Sequence, residues 1–324
     1  MAEANGTRAR LLPIAAVGIT LLLWSSAFVG IRYADRQLSA GALALGRLIV
    51  GSLVLGAVAA ARRDPLPSAQ TLLRIAACGV LWFGAYNVAL NEAETRVDPG
   101  TASMLVNTGP ILIAILAGVF LREGFPRRLL TGCLVSFAGV AVIGLATSRH
   151  GLHQGLGTIL CLAAALAYSV GMIAQKPALA EASALQVTWL ACTVGAIVCL
   201  PFGPSLWHGL QHARTPTIVW TVYLGLAPTA IGFCTWAYAL ARTTAGALGS
   251  TTYLVPPLAV LLGWAFLGEV PPVLAFPGGI LCLAGVAIAR GRARRRRPAI
   301  VVAYSTSTGA TSECNPSTAS TTSP

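Results

Sequence analysis

The apolar run GALALGRLIVGSLVLGAVAAA, residues 41–61, carries one charged side chain, Arg47. Its guanidinium stays protonated at physiological pH and presents five donors in a planar fork, which suits a carboxylate or a phosphate. Two readings stand for an arginine in such a place. Either it snorkels along its own stem to nearby headgroups, or it faces water inside the protein and holds a substrate anion. Other polar groups interrupt similar runs. Asn87 and Asn91 share one run, and Ser103, Asn107 and Thr108 the next, with Ser103 and Asn107 on one helical face. Ser250, Thr251, Thr252 and Tyr253 form a polar stretch further on. Such groups act as glue between helices, ~0.6 kcal/mol each, or as the lining of a solute path. Trp24, Trp82, Tyr86, Tyr168, Trp189, Trp236 and Tyr238 can stack on a solute or sit at headgroup level. Pro110 and the pair Pro256 and Pro257 each remove a helical hydrogen bond, as a packing kink or as a gate hinge.

The chemistry of an enzyme is missing from this inventory. There is no phosphate-binding Gly-rich loop ending in GK[ST], no HExxH, no GxSxG and no clustered acid pair. Ten residues are acidic. Glu92 and Glu94 fall near the end of one apolar run, and Glu92 is the first candidate for proton coupling. Glu123 and Glu269 close two others, where a carboxylate opposes the helix dipole; they are expected to serve the start of the next helix or to pair with arginines. His150, His153, His208 and His212 are read as solvated loop residues, and seven of the eight cysteines as small buried core residues. No cofactor and no metal are expected.

The elements that position these residues follow from composition. Of 324 residues, 56% are hydrophobic and 10% are charged, with a mean hydropathy of +0.74. A soluble domain carries about 25% charged residues, so the solvent of this chain is lipid. Ten apolar segments, each near the ~20 residues that cross a bilayer as a helix, run over 11–31, 41–61, 72–92, 99–121, 129–147, 155–175, 186–203, 218–240, 243–267 and 273–290. Short connectors rich in Pro, Gly and Asp separate them. The fold class is therefore all-α and integral to the membrane. The net charge of +12 sits mostly between the segments, which argues against a nucleic-acid partner. With the N-terminus (1–10) in the cytoplasm, 16 of the 22 Lys and Arg residues fall inside and five outside, Arg47 being the remaining one. Both termini are then cytoplasmic, in a multi-pass protein of the inner or plasma membrane. Residues 291–324 form a tail: the basic stretch Arg292–Arg297 is placed to meet anionic lipid, and a Ser/Thr-rich disordered segment follows.

The two halves repeat. At an offset of 146, Gly79 pairs with Gly225, Pro110 with Pro256, Glu123 with Glu269, Gly132 with Gly278 and Gly139 with Gly285. Near the start of each half the offset is 144, and Trp24, Ser25 and Arg32 meet Tyr168, Ser169 and Lys176; Arg47 meets Ala191. Five segments per half is an odd number, so the second half enters the membrane from the other side. The repeats are inverted, 11–147 and 155–290, an arrangement typical of secondary transporters with a midplane site.

LLLWSSAFVGIRYA in the first segment, the Arg47 segment, GTASMLVNTGPILIAILAGVFLREG, GALGSTTYLVPPLAVLLGWAFLGEV and the glycine pairs of segments five and ten together resemble the EamA domain. The whole is similar to the drug/metabolite transporter superfamily over about 11–290. The resemblance implies transport of small organic solutes, often metabolite or amino-acid export, through a cavity lined by segments one to four and six to nine. The candidate lining is Trp24, Arg47, Tyr86, Asn87, Ser103, Asn107, Tyr168, Trp236, Thr252 and Tyr253, with Pro110, Pro256 and Pro257 as gating kinks. Expected partners are a small-molecule substrate, the bilayer and, as a candidate, a second copy of the chain. The alternatives are a polytopic enzyme acting on lipid-linked substrates, which needs acidic pairs that are lacking, and a channel.

Overall fold

The computed structural model describes residues 2–34, 36–94, 96, 104–147, 155–268, 270 and 272–291, with the backbone alone at 2–10, 32, 91, 94, 147 and 267. Ser103, His150, His153, Glu269 and the tail from Arg292 lie outside the described residues. All regular structure among the described residues is helical: α1 (Ala2–Ala34), α2 (Ala40–Arg62), α3 (Ala69–Cys78), α4 (Tyr86–Glu94), α5 (Gly109–Phe120), α6 (Arg127–Thr147), α7 (Gly155–Ala178), α8 (Ala184–Val198), α9 (Gly203–His212), α10 (Thr215–Leu224), α11 (Gly232–Leu240), α12 (Ala245–Gly249), α13 (Val255–Leu267) and α14 (Ala275–Arg290). Seven helical stretches are long and apolar enough to cross a membrane. The bent pair Ala184–Val198 and Leu200–His212 makes up to eight, and Met104–Phe120 and Ala275–Arg290 are shorter apolar helices. Leu53, Leu73, Phe120, Ile159, Phe266 and Ile280 are among the large apolar side chains left exposed, as a lipid-facing surface requires.

Several segments depart from a straight helix. Segment 186–203 ends at Val198 and turns by 54°, because Pro201 and Pro204 each open a new helical run and lack the N–H needed to continue the old one. Two π-helical turns, Gly79–Ala85 and Gly225–Ile231, lie 146 residues apart and link α3 to α4 and α10 to α11. Pro110 and Pro256 fall in the first turns of α5 and α13, behind a turn at 107–108 and a 3-10 stretch, Ser250–Leu254. They restart helices rather than bend continuous ones.

Helices α6 and α14 meet backbone to backbone. A Cβ on Gly132 would stand 2.5 Å from the Gly285 carbonyl oxygen, and one on Gly139 2.5 Å from that of Gly278. Between them the Ser136 hydroxyl donates to the Cys282 carbonyl at 3.2 Å, and the Cys282 thiol donates back to the Ser136 carbonyl at 3.6 Å. Small residues permit this approach, which is how helices associate where no hydrophobic force drives them together.

The ends of the bundle are stapled by two side chains. Gln37, between α1 and α2, accepts from the Arg214 backbone N–H at 2.9 Å and the Thr217 hydroxyl at 2.6 Å, at the start of α10. Glu181, between α7 and α8, accepts from the Ser68 backbone N–H, the Ser68 hydroxyl and the Thr71 hydroxyl, at the start of α3. Residues 37 and 181 are 144 apart, and 68 and 214 are 146 apart. α2 runs from one staple to the other, so they hold opposite ends. One is neutral and one is ionisable.

Two outcomes follow. Gly285→Val is expected to cost about 1–3 kcal/mol or more by forcing α6 and α14 apart, read as a lower Tm of the detergent-solubilised protein. Hydrogen bonds from Thr71 and Ser68 hold the Glu181 carboxyl below its ordinary range. Its contribution is therefore present above the ordinary glutamate value of about 4.3 and is lost as the pH falls through the lower folded value. Glu181→Gln is expected to flatten that acid limb of the Tm-against-pH curve and to lower Tm at neutral pH toward the value that wild type reaches in acid.

Candidate functional site

The candidate residues gather at the broken helices and bond to backbone carbonyls there. Thr229, inside the second π-turn, donates its hydroxyl to the Leu224 carbonyl at 2.8 Å. It accepts from Arg47 Nε at 3.0 Å. Trp24 Nε1 donates to the Pro228 carbonyl at 3.2 Å, again in that turn. Asn87 donates to the Phe83 carbonyl at 2.7 Å, in the first π-turn; its amide nitrogen is spent on its own backbone. Ser25 donates to the Val255 carbonyl at 3.3 Å and Ser169 to the Gly109 carbonyl at 3.1 Å, in each case the residue just before Pro256 or Pro110.

Above these bonds lies one aromatic cluster. Trp24 packs against Trp236 and Phe233, with ring centroids 5.0 and 5.1 Å apart, and edge-on to Trp82 at 6.1 Å. Trp82 reaches Tyr168 at 5.2 Å, and Tyr168 reaches Tyr86 at 5.8 Å. Trp24, Tyr86, Tyr168 and Trp236 are thus brought together, by way of Trp82. Phe233 and Phe83, 4.4 Å apart, and Thr229 are further members that their residue types alone did not mark. Thr252 neighbours the Tyr168 hydroxyl. Tyr253 belongs elsewhere, packed with Cys133, Val140 and Cys282 against α6 and α14. Asn107 is half-buried at the turn before α5. The Trp236 Nε1 and the Tyr168 and Tyr253 hydroxyls are buried with no hydrogen-bond partner among the described residues.

Arg47 is half-buried, and Tyr86 and Cys192 are ionisable groups close enough to act on it. It forms no ion pair with a described carboxylate, and the bond to Thr229 uses one of its five donors. Its surroundings recur across the bundle without it. Gly225 closes on the Arg47 carbonyl, so that a Cβ would stand 2.8 Å away, and Gly79 closes on the Ala191 carbonyl at 2.6 Å. Gly51 meets Thr229 as Gly195 meets Phe83. The same backbone crossing carries an arginine and a threonine on one side and an alanine and a phenylalanine on the other.

At one end of the bundle, two charges join other helices. Lys176 Nζ donates to the Leu240 and Thr243 carbonyls, both at 2.5 Å, where a cation meets a helix C-terminus favourably. Glu123 accepts from the backbone N–H groups of Ala245 and Gly246 at 2.7 and 3.1 Å. It serves the start of α12 rather than that of the next helix, α6. Glu92 is paired with Arg96 one turn on.

A lipid-facing helical bundle with an aromatic centre and an arginine beside broken helices defines a membrane-embedded solute carrier. The EamA-like transporter family model matches residues 11–145 and 155–291; the chain belongs to that family and is a transporter, not an enzyme. It is 39% identical over 282 residues, 87% of its length and 94% of the relative's, to a probable terminal-alkyne amino-acid exporter of Streptantibioticus cattleyicolor. It is 30% identical to the uncharacterized transporter YdfC of Bacillus subtilis, over 82% of this chain and 86% of that one. It is 26% identical to a probable amino-acid metabolite efflux pump of Salmonella typhimurium, over 68% and 76%. A solved crystal structure, 19% identical, superposes with a TM-score of 0.70 over 86% of this chain and 96% of that one, which shows a shared fold.

Thr229→Val keeps the side-chain shape and removes both of its hydrogen bonds. The expected outcome is a folded protein destabilised by about 1–2 kcal/mol, read as a lower midpoint in thermal unfolding.

Proposed function

We propose that this protein exports amino acids by alternating access, binding the substrate carboxylate at Arg47 and the substrate side chain in the cluster of Trp24, Tyr86, Tyr168 and Trp236. The observation that carries the reading is the pair of like crossings. The packing of Gly51 and Gly225 needs no arginine, because Gly195 and Gly79 pack in the same way around Ala191. A cation held there by one neutral hydroxyl, with its other donors free of any described carboxylate, is a site for an anion rather than a strut. The relatives' names, an amino-acid exporter and an amino-acid efflux pump, support the substrate class.

The architecture that serves this function is ten membrane helices in two inverted repeats, 11–147 and 155–290. The π-turns 146 residues apart, the reciprocal Ser136–Cys282 bonds and the two matched staples support it. The two family matches, one in each half, support it as well. The Lys and Arg distribution supports both termini in the cytoplasm, in a protein of the cell membrane with Arg292–Arg297 against anionic lipid. The matched restarts at Pro110 and Pro256, with Pro257 beside the latter, are the hinges of the cycle. The remaining lining is Asn87, Ser103, Asn107 and Thr252, and a second copy of the chain is a candidate partner.

The test is uptake of labelled neutral amino acids, including propargylglycine, whose side chain ends in an alkyne, by proteoliposomes. Wild type is expected to transport, and Arg47→Gln to raise KM about tenfold to a hundredfold, the worth of a hydrogen bond to a charged group. Arg47→Lys is expected to fall between them, keeping the charge and losing the fork. Equal KM values in all three would make Arg47 a headgroup anchor.

A further inference from the structure

Gln175 is fully buried, and neither the nitrogen nor the oxygen of its side-chain amide has a hydrogen-bond partner among the described residues. A primary amide offers two donors and an oxygen acceptor, so several unmet bonds are enclosed at one position. Buried polar groups are nearly always paired, and an exception calls for an explanation. Packing alone does not supply one, since methionine has the same length and no such demand.

Its place in the fold suggests what meets it. Tyr168, Met172 and Gln175 follow at i, i+4 and i+7 and share one face of α7. Tyr168 is in the aromatic cluster, through Trp82 and Tyr86. Gln175 stands two turns further on, about 10 Å along the axis. The next residue, Lys176, is tied to the carbonyls of Leu240 and Thr243. Glu123, close enough to act on that lysine, is tied to the start of α12. Gln175 therefore lies between the aromatic cluster and a set of charge-assisted bonds at the end of the bundle that Glu181 staples. Arg47 lies in the opposite half, in the first turns of α2 beyond Gln37.

We propose that Gln175 is a substrate contact for the amino-acid headgroup on the cytoplasmic side of the site, its amide donating to the carboxylate and accepting from the ammonium before the substrate reaches Arg47. An uncharged amide suits this station. It pairs with both ends of a zwitterion and holds neither strongly enough to stop its passage. The proposal rests on the amino-acid reading and on the cytoplasmic placement of that end.

Gln175→Met tests it, being nearly isosteric. In inside-out membrane vesicles, where the cytoplasmic face is outside, the KM for labelled propargylglycine is expected to rise about tenfold while Tm rises, because unmet polar groups are gone. In right-side-out vesicles KM is expected to move far less. A higher Tm with an unchanged KM from the cytoplasmic face overturns the proposal, as does an equal shift from both faces. As a second measurement, Gln175→Cys is labelled with a permeant maleimide and read by peptide mass spectrometry. Protection by propargylglycine supports the contact, and equal labelling with and without it overturns it. If wild type moves no amino acid, the amino-acid reading itself fails; if wild type transports and Gln175→Met keeps its KM, only this inference does.

Discussion

Lipid offers no hydrogen bonds, so a membrane helix that breaks must find partners for every carbonyl it frees. This chain breaks its helices repeatedly near their middles, at two π-turns and at two proline restarts. One repair is specific: Pro228 has no N–H to offer the Leu224 carbonyl four residues back, and the Thr229 hydroxyl donates to it instead. Trp24, Asn87, Ser25 and Ser169 bond further carbonyls beside the breaks, at Pro228, Phe83, Val255 and Gly109. The candidate site is assembled from groups that bond at the breaks, and Arg47 is held by one of them, Thr229.

This arrangement explains why polar residues here carry two duties. A hydroxyl that has donated its only proton to a carbonyl still has lone pairs for a second partner. Thr229 uses one for a guanidinium, and the Ser26 hydroxyl, bonded to its own backbone at Leu23, also meets the Tyr223 hydroxyl at 2.7 Å. The aromatic groups differ. Trp24 is anchored by its Nε1, whereas the Trp236 Nε1 and the Tyr168 and Tyr253 hydroxyls are buried with no hydrogen-bond partner among the described residues.

Much of the frame is legible in the residues. Apolar run lengths place Leu11–Ile31, Ala40–Arg62 and Gly155–Ala178 to within a few positions, because lipid enforces one length on every crossing. The offset glycines foretell the α6–α14 contact, since only small side chains allow it. The π-turns were not legible: Gly79 and Gly225 stood out as paired glycines, but nothing in their types signals a widened turn. The Gln37 and Glu181 staples were also missed. They are unlike residues at equivalent places, and matching by identity passes over them. Phe83 and Thr229 hid for the same reason. The Asn87 amide nitrogen closes its own helix, which only the path of the backbone reveals.

The reciprocal bonds between Ser136 and Cys282 are symmetric under exchange. Each residue donates to the carbonyl of the other, so the contact is unchanged if the two helices swap roles. Serine and cysteine are then alternatives at one position of the joint, since each brings one short donor and neither needs the other's type. A change that keeps a small donor on either side keeps one bond from each helix, whereas a side chain added at Gly132, Gly139, Gly278 or Gly285 meets backbone with no distance to spare.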